Sequence, residues 1–239
     1  MDERFEREAR VIGEDALDRL AASTVALFGV GGVGSYAAEA LARSGVGHIV
    51  LIDRDEVSKS NINRQLCALE STVGIPKVEV TAERLRDINP CVRVEAIQEF
   101  FLPETASGFD FSKYDYVIDA IDTVSGKIAI AQCAAAAGVP VLSCMGTGNK
   151  LDPTAFRVAD IKDTRVCPLA RVMRRELKKR GIEGVRVVYS EEEAVSAGVM
   201  DADSGKSVVG SIAFVPSVAG LIAAGEAVRY IIGKEKKNG

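Results

Sequence analysis

A doubly wound α/β fold, with a mainly parallel sheet and an α+β extension at its C-terminal end, is what this sequence predicts. Three observations carry the prediction. Short apolar runs at 24–28, 49–52 and 116–120 alternate with longer segments of helical periodicity, the pattern of a parallel sheet buried on both faces. The turn after the first run is Gly29-Val30-Gly31-Gly32-Val33-Gly34-Ser35, and a helical pattern succeeds it at once. Asp53 closes the second run. Strand, glycine turn, helix, strand and acid in that order are the Rossmann-like arrangement.

The elements come in chain order. Residues 2–22 read as an amphipathic helix with Phe5, Ala9, Ile12, Ala16, Leu17 and Leu20 apolar, packing outside the nucleotide fold or on a partner. Strands at 24–28 and 49–53 flank a helix at 33–42. Residues 54–66 carry charged and amide groups without periodicity and read as a loop. Pro76 opens a helix to Ile88, closed by Asn89-Pro90. Alternation at 92–97 gives a strand, 101–113 a loop with one helical turn, and 116–120 a buried strand. An alanine-rich helix at 125–137 ends at Gly138, before a strand at 139–144. Beyond Gly146 the pattern changes. Strands at 155–161 and 185–189 flank a basic helix at 169–180. Polar, acidic 190–207 reads as a long mobile loop, 211–215 as a short strand, and the stretch from Pro216 as a buried helix. Residues 208–233 are long enough to span a membrane, but Pro216, Glu226 and Arg229 interrupt them, so core packing rather than stable membrane insertion is expected. The tail, 234–239, is expected to fray. The whole reads as one domain over 1–239: an N-terminal helical segment 1–22, a nucleotide-binding core 23–145 and a C-terminal α+β part 146–239.

Composition narrows the function. Apolar residues make up 47% of 239, enough for a substantial core, and a net charge of −4 excludes a wholly basic nucleic-acid binder while leaving room for a local basic patch. The charged N-terminus does not read as a secretory signal. Cysteines 67, 91, 133, 144 and 167 form no C-x-x-C pair, which argues against a zinc ribbon or a disulfide framework and fits a cytoplasmic protein. With His48 the single histidine, a His-based triad or His-rich metal site is excluded, and His48 reads as a strand-end residue.

In the glycine turn, Gly29 permits the tight bend, Gly31 lets a phosphate approach the backbone, and Gly34 lets helix and strand pack closely. The helix N-terminus favours an anion, and Asp53 is placed to accept from ribose hydroxyls. The turn alone leaves NAD and ATP open. Three residues beyond it favour a nucleoside triphosphate: Arg64 offers bidentate phosphate binding, Lys77 a compact positive charge, and Asp122 an oxygen ligand for Mg²⁺.

Six segments then resemble a known family: the glycine turn, Asp53-Arg54-Asp55, Ser60-Asn61-Ile62-Asn63-Arg64-Gln65, Val73-Gly74-Ile75-Pro76-Lys77, Ile88-Asn89-Pro90 and Asp119-Ala120-Ile121-Asp122 are similar to the adenylation domain of ubiquitin-activating-like enzymes. The resemblance implies that Gly29, Gly31, Gly32 and Gly34 hold ATP together with Asp53. It implies that Asn61, Arg64 and Lys77 bind phosphates, that Asp55 and Gln65 complete the nucleotide set, and that Asp122 holds Mg²⁺. Arg64, Lys77 and Asp122 are then the catalytic residues, joined by Arg10. The segment from Arg4 to Arg10 resembles the part that reaches into a partner subunit's ATP site through Arg7 or Arg10, which implies a homodimer. Two departures separate this chain from members that activate sulfur-carrier proteins: it has no pair of C-x-x-C motifs, and no cysteine after Cys167. Met145-Gly146-Thr147-Gly148-Asn149, Leu151-Asp152-Pro153-Thr154 and Pro168-Leu169-Ala170 instead resemble the branch that dehydrates threonylcarbamoyladenosine in tRNA. The expected reaction is ATP-dependent ring closure on a tRNA substrate through an acyl-adenylate. The alternative is an adenylyltransferase acting on the C-terminus of a ubiquitin-like sulfur carrier, with a carrier or sulfur-relay partner. A third class is an NAD-binding oxidoreductase. Cys167, just before a helix, reads as a buried thiol rather than a nucleophile. Between Arg171 and Arg180, six of ten residues are basic, and Arg171, Arg174, Arg175 and Lys178 are expected to form an outward stripe for tRNA phosphates.

Overall fold

The computed structural model describes residues 2–195 and 209–233. Strands β1 (Thr24–Phe28), β2 (His48–Ile52), β3 (Arg93–Ile97), β4 (Tyr116–Asp119), β5 (Val141–Cys144), β6 (Phe156–Asp160) and β7 (Arg186–Ser190) form one sheet in the order β3-β2-β1-β4-β5-β7-β6. Every pairing is parallel except β6 with β7. The expected C-terminal extension therefore continues the same sheet, with β7 inserted between β5 and the antiparallel edge strand β6.

Alternation along the strands fills both faces. Val25 and Leu27 of β1, Ile49 and Leu51 of β2, and Tyr116 and Ile118 of β4 share one core with α3 (Gly34–Arg43), α4 (Lys77–Ile88) and α7 (Phe214–Ile231). Ala26, Phe28, Val50, Ile52 and Val117 face the other side, where α5 (Val124–Ala137) packs. A smaller core joins α5 to α6 (Pro168–Lys179) through Ala170, Met173 and Leu177. Among the described residues, no α-helix covers β2 and β3 on the α5 face. The loop between β3 and β4 does so, with an aromatic cluster in which Phe28 stacks on Phe111 at 5.5 Å and meets Phe101 edge-on at 4.8 Å.

The N-terminal segment differs from the expected single helix. α1 (Glu6–Ile12) and α2 (Glu14–Ala22) are separated by Gly13 at φ 91°, a left-handed conformation that ends one helix and redirects the next. α2 buries Ala16 and Leu20, whereas α1 buries nothing and leaves Val11 78% exposed. The expected strand at 211–215 is also absent: α7 already begins at Phe214, with Pro216 in its first turn, where no intrahelical N–H is needed. α7 is apolar and long enough to cross a membrane by composition, but Val215, Ala219, Ala223, Ala224 and Ala227 are buried against the sheet and α3. Gly220 lets it approach α3: a Cβ there would lie 2.2 Å from the Val33 carbonyl oxygen. Shorter corrections fall in the loops. Residues 54–66 contain a 3-10 turn at Lys59–Asn61, and 101–113 contain two, Ala106–Gly108 and Phe111–Lys113. Ser190, assigned by sequence to the mobile loop, is the buried last residue of β7. Most of that loop, 196–207, and the tail at 234–239 lie outside the described residues.

Candidate nucleotide-binding site

The carboxyl ends of β1 and β4 meet where the strand order reverses, which is where doubly wound sheets bind ligands. A cleft of about 500 Å³ opens there. Gly29, Gly31 and Gly32 line it, followed by Asp53, Asp55, Asn61, Arg64, Gln65, Lys77 and Asp122. The sequence placed these residues in five separate segments; the fold brings them to one side of the sheet.

Each glycine has a different reason. Gly29 sits at φ 90°, and a Cβ on it would lie 2.7 Å from the Ala120 carbonyl oxygen. A Cβ on Gly31 would meet only the Gln65 amide, at 3.7 Å, so this backbone stays open to the cleft. Gly34 does not line the cleft. Its role is packing, because a Cβ would fall 1.8 Å from the Gly29 carbonyl oxygen.

Asp53 stitches the turn to the next loop. Its Oδ2 accepts from Val30 N at 2.7 Å and its Oδ1 from Asp55 N at 2.8 Å, which leaves further lone pairs for a ligand hydroxyl. Lys77, the first residue of α4, is only 5% exposed, and its Nζ donates to Asp55 Oδ2 at 3.0 Å. Lys77 N also donates to Asp55 O at 2.9 Å, so the end of the β2 loop and the start of α4 are tied twice. Arg64 donates through Nη1 to Ser60 O at 3.0 Å and Asn63 Oδ1 at 2.8 Å, while its Nε and Nη2 make no bond among the described residues. Asn61 is buried, and its Oδ1 accepts from Ser58 N at 3.1 Å, so it also shapes the loop that presents Arg64. Gln65 is buried with Oε1 unpartnered. Asp122 is exposed on the rim and makes no hydrogen bond or ion pair among the described residues. That suits an ion held chiefly by phosphate oxygens and water, and no group of three or more candidate metal ligands exists among those residues.

Two expected participants lie elsewhere in this chain, and Cys167 is buried as expected. Arg7 and Arg10 are exposed on α1, and neither lines the cleft of its own chain. Cys167 is buried at the start of α6 in the second core, as a packing thiol. Cys144 does reach the cleft wall, but burial pushes its thiol up to about 12, so it stays protonated near neutrality. His48 lies at the start of β2, as expected, with Nε2 3.8 Å from Glu95.

Sequence reading gave one wall no part in the site. Met145, Gly146, Thr147, Gly148, Leu169, Ser211 and Pro216 also line the cleft, as do Phe100 and Arg54, whose guanidinium lies 4.2 Å over the Phe100 ring. These residues are scattered along the chain; only the close approach of α7 and the β5 end assembles them. The motifs also give no role to a buried group below the floor, in which Asp119 of the Asp119–Asp122 segment meets Lys127 and Ser143.

A switch-point cleft with an open glycine turn, and with lysine and arginine side chains against it, defines an α/β protein built to take a phosphorylated nucleotide. The model of the ThiF family matches residues 5–239, and the chain belongs to that family. The Bacillus subtilis (strain 168) tRNA threonylcarbamoyladenosine dehydratase is 47% identical over 239 residues, covering 95% of this chain and 94% of that one. Among solved structures, E. coli tRNA N6-threonylcarbamoyladenosine dehydratase in complex with ATP superposes with a TM-score of 0.88 at 38% identity, covering 99% of this chain and 97% of that chain. The same enzyme in complex with AMP gives 0.86 at 39% identity, covering 97% and 95%.

Proposed function

We propose that this chain is an ATP-dependent dehydratase that cyclises threonylcarbamoyladenosine in tRNA. The observation that carries the reading is the joint placement of Arg64, Lys77 and Asp122 around the open glycine turn, in a chain alike over nearly its whole length to dehydratases. The threonyl carboxylate attacks the α-phosphorus of ATP; pyrophosphate leaves and an acyl-adenylate forms. The neighbouring carbamoyl group then attacks the activated carbonyl and AMP departs, so the ring closes and the lost oxygen leaves on AMP. Activation is required because a carboxylate is a poor electrophile, and the adenylate supplies a good leaving group. Lys77 and Arg64 oppose the charge that builds on the phosphates. Mg²⁺, when bound, supplies further charge neutralisation there, and Asp122 is the residue to hold it. No side chain forms a covalent intermediate.

The chain acts in the cytoplasm, as one ATP-binding unit, and as a homodimer. The exposed α1, with Val11 uncovered and Arg10 outside the lining of its own cleft, supports a two-fold arrangement in which Arg10 completes the partner's site. The test is mass spectrometry of nucleosides from threonylcarbamoyladenosine-bearing tRNA, before and after enzyme and ATP. A nucleoside lighter by one water, with AMP and pyrophosphate released, is expected. Unchanged nucleosides alongside adenylylation of a carrier-protein C-terminus would overturn the reading.

A further inference from the structure

The most deeply buried ionic group among the described residues lies just beneath the cleft and has no part in the chemistry above. Lys127, on α5, has a fully buried side chain. Its Nζ donates to Asp119 Oδ1 at 3.0 Å and to the Cys144 carbonyl oxygen at 2.7 Å, with Ser143 Oγ at 3.4 Å. Asp119 is equally buried and ends β4; Cys144 ends β5. One ammonium thus ties together the carboxyl ends of two neighbouring strands.

Both strand ends run directly into the cleft wall. After Asp119 come Ala120, Ile121 and Asp122, and after Cys144 come Met145, Gly146 and Thr147, all lining the cleft. Asp119 Oδ1 also accepts from Ile121 N at 3.3 Å, so the carboxylate held by Lys127 holds the start of the Asp122 loop. From above, Gly29 presses on the peptide joining Ala120 to Ile121, since a Cβ there would lie 2.9 Å from Ile121 N. That peptide is clamped between the glycine turn and the buried pair. A buried ion pair costs desolvation that a hydrophobic pair would avoid, so its presence here calls for a reason other than stability.

We propose that Lys127 is a positioning residue, which sets the spacing between the Asp122 loop and the wall after β5 across which the substrate carboxyl must meet the nucleotide. The proposed nucleotide contacts Asp53, Arg64 and Lys77 make no hydrogen bond to Lys127 or Asp119 among the described residues. The kinetic consequence of that spacing rests on the proposed reaction, whereas the spacing itself does not.

The test uses the full chain. Lys127→Met alone strands the Asp119 charge and is expected to unfold in part. The readable variant is therefore Lys127→Met/Asp119→Asn, which removes both charges, keeps an acceptor for Ile121 N, and cuts the tie to the Cys144 carbonyl. Glu226→Gln, a distant change that weakens a different ion pair, serves as the stability control. Two readouts are taken. In amide hydrogen exchange, the double variant should exchange about tenfold faster at 145–147 while the strands keep the parent's protection. In steady-state kinetics, kcat should fall about tenfold or more with KM for ATP within roughly threefold of the parent, because misplacing reacting groups costs rate rather than nucleotide binding. The control should show neither change. Parental exchange at 145–147, or a kcat loss no larger than the control's, would overturn the proposal. If the parent leaves tRNA nucleosides unchanged, the proposed function fails and the exchange result alone decides the role of Lys127.

Discussion

Lys77 shows what a single side chain contributes here. It is nearly sealed from solvent, has one carboxylate neighbour and lines the cleft, so its charge is poorly screened where the proposed function places the phosphates. Replacing it by alanine should cost about 3 kcal/mol of transition-state stabilisation, roughly 150-fold in kcat/KM for adenylate formation. Near-normal pyrophosphate release by Lys77→Ala would show that the charge is not used. Glu226 illustrates a residue whose effect is on stability alone. Burial pushes its carboxyl up, but the Arg229 and Arg186 guanidiniums, the latter at 2.7 Å, hold it below the usual carboxylate range. A folded value below the unfolded one means the unfolded chain binds the proton first. The stabilisation is therefore complete above the ordinary value of about 4.3 and is lost as pH falls through the folded one. Glu226→Gln should lower stability by about 1 kcal/mol at pH 7 and flatten the fall in melting temperature below pH 5. A variant that tracks the parent through acid would contradict that sign.

The helices divide into those the sequence made plain and those only packing could place. α3 and α4 were legible because a glycine turn and a proline mark their starts and an apolar face runs along them. The start of α7 was not, since Ser211 to Val215 is apolar and short enough to suit either state, and contact with the glycine turn decides it: a Cβ on Gly32 would come 3.2 Å from Pro216. α6 was placed within a residue, but its charge pattern was misjudged. Arg174 turns inward, donating at 2.8 Å to both the carbonyl and hydroxyl oxygens of Thr164. Arg180, Lys179 and Arg175 converge on Glu176 and draw its carboxyl down to about 2. Arg171 and Lys178 are left exposed without an ion pair among the described residues, two turns apart on α6, whose Leu169 lines the cleft. The tRNA contact is thus expected at those two. Arg171→Ala/Lys178→Ala should weaken all tRNAs alike and lower the log–log salt slope by about one to two, whereas Arg174→Ala should destabilise the fold and leave the slope intact. Equal slopes for parent and the first variant, measured across a salt series, would remove α6 from the RNA surface.

For the molecule as a whole, the doubly wound parallel core and its cleft were legible in the alternation of apolar runs and helices, since a parallel sheet leaves few topologies open, whereas the order β5-β7-β6 at the far edge was not. The bridging of Lys127 between two strand ends was invisible for the opposite reason: it joins residues with no common motif, and only the register of β4 against β5 brings them together. The assembly has its own test. Mixing Arg10→Ala with Asp122→Ala subunits should restore activity that neither has alone, because one hybrid site in each mixed dimer carries both native residues. No recovery on mixing, or a monomer at micromolar concentration, would place Arg10 outside the site.

The insertion of β7 between β5 and β6, and then the laying of α7 over the glycine turn, bears on how the chain is made. Synthesis delivers the turn well before its cover, so a nascent chain still lacking α7 presents Gly32 and the α3 face bare. Nucleotide capture is then expected only once α7 has been made. A ribosome-stalled chain ending before Phe214 should neither retain ATP nor resist protease at α3, and the full-length chain, once released, should do both.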